Sequence, residues 1–179
     1  MPAPVLPMKR LLPIVLPWLV ALACAPAPAL ALDSVALEAG RGTGRTNLLR
    51  LGLQWQGHDK WFEHSSWHIA HYVELVFGGW NGEEGTVYDL AFTPVFRFVR
   101  SASPAYLEAA IGFHVLSDLD FKDGAETSTH FQFGDHIGAG IVRGRYDWAV
   151  RLQHLSNAGI RNPNPGINFL QLRLQYSLD

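Results

Sequence analysis

From Ser34 to the C-terminus the chain alternates apolar and polar residues with a period of two, and clusters of Gly, Pro, Asn and Asp break the alternation into eight runs. A period of two belongs to the β-strand, where successive side chains point to opposite faces. No helical period competes with it. The runs are Ser34–Gly40, Asn47–Trp55, Trp67–Phe77, one through Tyr88 and Phe98, Ala105–Ser117, His130–Arg143, Tyr146–Ser156 and Asn168–Leu178. One face of each is apolar, as in Leu49, Leu51 and Leu53 or Leu170, Leu172 and Leu174. The other carries charges of both signs, with acids at Glu74, Asp89, Glu108 and Asp147 and bases at Arg50, Arg97, Arg151 and Arg173.

All runs but the first are roughly 9 to 14 residues long, enough for a tilted strand to cross a bilayer, and eight is an even number. The expected fold is all-β: an eight-stranded antiparallel transmembrane β-barrel. Its apolar face meets lipid, and its charges pair in an interior filled by side chains. A soluble lipocalin-like barrel or sandwich would turn both faces the other way. The aromatic residues near run ends, Trp55, Trp67, Tyr106, Tyr146, Trp148 and Tyr176, favour a membrane girdle. With both termini in the periplasm, segments 41–46, 78–85, 118–129 and 157–167 face outward. The turns at 101–104 and 144–145 are short; the connection from Gln56 to Ser66 is long for a periplasmic turn and suggests a short helix.

Residues 1–31 read as a cleaved signal peptide, with Lys9 and Arg10, an apolar core from Leu11 to Ala23 and an Ala29-Leu30-Ala31 cleavage site. That core is too short to span a bilayer as a helix. Export leaves residues 32–179 as the barrel and removes the single cysteine, Cys24, so disulfides play no part. Losing two basic residues turns a formal net charge of −2 into an excess of four acids, which is not a nucleic-acid-binding balance.

Between the last two runs lies Gln153-His154-Leu155-Ser156-Asn157-Ala158-Gly159, continuing through a Pro- and Asn-rich loop to Asn168. His154 and Ser156, two apart on a strand, share a face with Cα atoms roughly 6.5 to 7 Å apart. The turn-forming composition that follows puts them at the strand end. This block of about 16 residues resembles the lipid A 3-O-deacylases of the PagL type, outer-membrane barrel esterases with a His-x-Ser-Asn-Ala-Gly signature before a Pro-Asn-rich loop. The resemblance implies an enzyme of the bacterial outer membrane, without cofactor or metal. Its substrate would be lipid A in lipopolysaccharide, cut at the 3-O-linked ester to release a hydroxy fatty acid. One position departs from the family: Asn168 stands where its best-known members place a catalytic Glu.

The chemistry expected is serine ester hydrolysis, with Ser156 as nucleophile, His154 as base and Asn168 orienting the ring. Asn157 and the backbone N–H groups of Ala158 and Gly159 are the nearest oxyanion donors. All three catalytic residues have lipid-facing parity, which suits an acyl ester that never leaves the bilayer. No carboxylate lies between Asp147 and Asp179 to steady the imidazolium. If Gly144-Arg145 is a two-residue hairpin turn, however, counting outward sets Asp135 opposite His154. The competing readings are a structural or adhesive barrel, in which the loop is a surface turn, and an outer-membrane phospholipase. Asp118-x-Asp120-x-Lys122-Asp123-Gly124 lacks a calcium ligand where Lys122 stands and reads as a solvated loop. His68 and His71 face apart on a strand, so no metal site is expected among His64, His68 and His71. Nothing in the sequence bears on oligomeric state.

Overall fold

In a computed structural model the described residues are 31–63, 66–82, 84–119 and 126–178. The signal peptide expected over residues 1–31 lies outside them except for Ala31, as does most of the 118–124 loop. Among the described residues eight strands close into one antiparallel barrel in sequence order: β1 (Ser34–Gly42), β2 (Asn47–Gln56), β3 (Trp67–Asn81), β4 (Thr86–Arg100), β5 (Ala105–Leu116), β6 (Phe131–Arg143), β7 (Tyr146–Ser156) and β8 (Ile167–Ser177). β1 pairs with β8 to shut the barrel, Ser34 opposite Ser177 and Gly42 opposite Phe169. The start of β1 and the end of β8 therefore meet at one rim, and the 157–166 loop lies at the other, here called the outer rim.

Burial is inverted relative to a soluble protein. On β8 Leu172 is 66% exposed while its neighbour Arg173 is 1% exposed. The same alternation runs around the wall, and a lipocalin-like barrel would show its reverse. Lipid is the solvent in which exposed Leu, Ile and Phe and buried Arg and Glu are both stable.

The charges expected to pair do so, and Glu38 joins them. Arg151 lies at the centre, its guanidinium bonding Glu38 at 2.6 Å, Glu108 at 2.6 Å, Glu74 at 3.0 Å and the Tyr72 hydroxyl at 2.8 Å. Arg173 reaches Glu74 at 2.6 Å, Arg97 bridges Glu108 and Asp147, and Arg50 holds Asp89 at 2.8 Å. Buried ions persist only when paired and hydrogen-bonded on every side. Glycines on β6 make the room: a side chain at Gly140 would strike the Tyr106 ring and hydroxyl.

Toward the outer rim the interior changes character. Leu48, Trp80, Val87, Leu116, Leu155, Ile167 and Phe169 pack there as a buried apolar cluster. Leu155 separates His154 from Ser156, and Ile167 and Phe169 flank Asn168, so inward apolar anchors pin the strand ends that carry the outward polar residues.

Three expectations change. Tyr106 is no girdle residue: it points inward, 5% exposed, donates to Asp147 at 2.5 Å and lies under the Arg97 guanidinium, its ring centroid 4.1 Å away. β1 continues to Gly42 instead of ending at Gly40, which brings Arg41 into the wall opposite Leu170. The β2–β3 connection shows no helix in its described residues. Trp61 instead pairs backbone to backbone with Ile69 and stacks on His71 with centroids 5.6 Å apart, folding the segment against the outside of β3.

Candidate active site

The hairpin at Gly144-Arg145, with Gly144 at φ +60°, faces Arg143 to Tyr146 and thereby fixes the β6–β7 register. Asp135 falls opposite His154 and Phe133 opposite Ser156. On the other side of β7, His154 faces Asn168 of β8. Four outward positions thus form one patch at the outer rim, with Asp135, His154 and Asn168 in a row across three strands and Ser156 one step outward along β7.

Asn168 and His154 are joined directly: the imidazole Nδ1 lies 2.8 Å from the Asn168 side-chain oxygen. An amide oxygen accepts, so the ring carries its proton on Nδ1 and leaves Nε2 with a free lone pair. Asp135, although directly across the ladder, makes no ion pair with the ring among the described residues. The Ser156 hydroxyl makes no hydrogen bond to the imidazole among the described residues.

Two neighbours hold the pair, and neither was foreseen. Thr43, in the short 3-10 turn Thr43–Arg45 after β1, accepts the Asn168 backbone N–H on its hydroxyl at 3.0 Å. Gly166 lies over the imidazole at φ +68°, and a Cβ there would sit 2.5 Å from Cε1 and 3.0 Å from Nε2 of His154. Gly166→Ala is therefore expected to push the ring off Asn168 as well as straining the backbone at about 1 kcal/mol or more. The check is the rate of the expected ester hydrolysis against folding yield: the rate should fall at least tenfold while the heat-modifiable barrel still forms.

The loop beyond Ser156 is built around Asn157, which is fully buried. Its side-chain oxygen accepts from Gly159 N–H at 2.9 Å, and its amide donates to Arg161 O at 2.8 Å and Ser128 Oγ at 3.0 Å. Its own N–H goes to Asn164. Of the three oxyanion donors expected, Asn157 and Gly159 are thus committed to the loop. Ala158, at φ +53°, keeps a backbone N–H that no described residue accepts.

A groove of about 560 Å³ on the outer wall joins these groups, lined by Asp135, His154 and Asn168 together with Arg41, Leu152 and Leu170. A serine and a histidine side by side on the lipid-facing side of a closed barrel are the groups that an outer-membrane hydrolase of membrane lipid would use.

Comparison with known proteins is specific on that point. The family model for lipid A 3-O-deacylase (PagL) matches residues 47–177, and the chain belongs to that family. The lipid A deacylase PagL of Pseudomonas aeruginosa is 32% identical over 171 residues, covering 92% of this chain and 96% of that one. The Bordetella bronchiseptica protein of the same name is 40% identical over 93 residues, a match spanning 51% of each. A crystal structure of the outer-membrane enzyme PagL superposes with a TM-score of 0.75 at 28% identity, covering 80% of this chain and 98% of that one. A de novo designed transmembrane β-barrel, 11% identical, shares the fold with a TM-score of 0.54 over 82% of this chain and 95% of its own.

Proposed function

We propose that this chain hydrolyses the 3-O-linked hydroxyacyl ester of lipid A in the outer leaflet through Ser156, His154 and Asn168. The observation that carries the reading is the 2.8 Å bond from Nδ1 to Asn168, which leaves Nε2 as the base on the face shared with Ser156. Ser156 Oγ attacks the ester carbonyl as Nε2 takes its proton, and the Ala158 N–H is the donor available to the oxyanion. Collapse of the tetrahedral intermediate breaks the bond to the sugar oxygen, which receives the proton from His154. Water activated by the same imidazole then releases the hydroxy fatty acid.

Asn168 orients the ring but carries no charge to balance the imidazolium. Asp135 supplies the nearest candidate: directly opposed residues on antiparallel strands have Cβ atoms about 4.5 to 5.5 Å apart. A carboxylate facing lipid is costly without a purpose of this kind. Asp135→Asn is therefore expected to slow deacylation at least tenfold, and Asn168→Ala by less. The test is mass spectrometry of lipid A from expressing cells, followed by rates on purified variants. Loss of one hydroxyacyl group with the wild type supports the deacylase; unchanged lipid A with lysophospholipid accumulating would replace it by a phospholipase. Wild-type rates in folded Asp135→Asn would remove Asp135 from the mechanism.

A further inference from the structure

Resting on that function, we infer that Arg41 forms an anion subsite of the groove and seats a headgroup phosphate of the same glycolipid whose acyl ester lies at Ser156. Arg41 is exposed on the lipid-facing side of β1, where its parity is that of Val35, Leu37 and Ala39. A cation in that wall needs a counter-charge. No carboxylate among the described residues pairs with it, in contrast to the four arginines inside the barrel. The counter-charge must then come from the membrane.

Position narrows what that anion is. Closing the barrel sets Arg41 opposite Leu170, two residues along β8 from Asn168, and both line one groove with His154. Neighbouring strands are about 4.8 Å apart and residues rise about 3.3 Å along a strand, so the Arg41 backbone, two strands across and two residues along, lies roughly 12 Å from that of His154. With an extended side chain the guanidinium can reach a group attached to the same sugar as the scissile ester. Asp135 stands on the opposite flank, on β6. The patch therefore carries a cation on the β1 side and an anion on the β6 side, and a phosphorylated glycolipid is favoured in one orientation only, with its phosphate toward β1. A guanidinium also matches phosphate bidentately.

The test compares purified, detergent-solubilised wild type, Arg41→Lys and Arg41→Gln on phosphorylated lipid A and on the same lipid after phosphatase treatment, with barrel formation checked by heat modifiability. Loss of one charge-assisted contact predicts about a tenfold rise in KM for Arg41→Gln on the phosphorylated lipid, with kcat little changed. Arg41→Lys should recover part of it, and the dephosphorylated lipid should show no difference between the variants. Equal KM for wild type and Arg41→Gln on the phosphorylated lipid would overturn the subsite. So would an equal rise on both substrates, which would mean that Arg41 contacts a part of the lipid other than its phosphate. If wild type deacylated neither lipid, the proposed function itself would fail, a result distinct from both.

Discussion

Ser156→Ala is expected to leave lipid A with its 3-O-linked chain in place, the rate falling by about 10⁴ or more while the barrel folds as before. Ser156 stands at the rim of β7, outside the apolar cluster and bonded to no interior group, so its hydroxyl contributes little to the fold. His154→Ala should lose about as much. In the proposed mechanism the two residues act in one step, so the double variant should be scarcely worse than either single one. Additive losses would mean that the two residues act in separate steps, and full activity in Ser156→Ala would exclude a serine nucleophile.

The second large effect is on stability. Arg151→Met removes the cation that contacts Glu38, Glu74 and Glu108 at 2.6 to 3.0 Å and leaves Glu38 with only the longer approaches of Arg173 at 3.5 Å and Arg50 at 4.0 Å. Breaking a buried ion network by deleting one partner typically costs about 3–5 kcal/mol, because the remaining charges stay desolvated. Urea titration in a lipid or detergent host should show a clear fall in the unfolding midpoint. A midpoint equal to that of the wild type would show that Arg97 and Arg173 can neutralise the cluster alone.

Much of the site is legible because the β6–β7 hairpin leaves register no freedom. Once Gly144-Arg145 is read as a two-residue turn, each position on β6 has one partner on β7, and Asp135 falls opposite His154 by counting. The His154–Asn168 pairing needed the loop's length to be spent within the loop, and parity carried it. Parity also outranks position, and Tyr106 is the instance: it stands near a strand end like a girdle residue, yet its alternation with Leu107 turns it into the barrel. What sequence could not disclose depends on closure. Thr43 and Asn168 are 125 residues apart and meet only because the first strand pairs with the last. Gly166 and Asn157 are turn formers by composition; that one roofs the imidazole and the other spends its amide inside the loop follows from the loop's path, which no periodicity encodes.

The apolar cluster beneath the outer rim has a consequence for how hydrolysis is supplied. Leu48, Trp80, Leu155 and Phe169 pack the interior just under the strand ends, and the ion network occupies the space below, so the described side chains stand in the path of water drawn from the other rim. In the mechanism proposed above, the water that splits the acyl-enzyme then enters from the outer rim through the headgroup layer, while the acyl chain stays in hydrocarbon. The two halves of the substrate are thus handled in two different solvents, with the reacting carbonyl at their boundary. The freed fatty acid leaves sideways into the outer leaflet, and the trimmed glycolipid never has to be lifted out of the membrane.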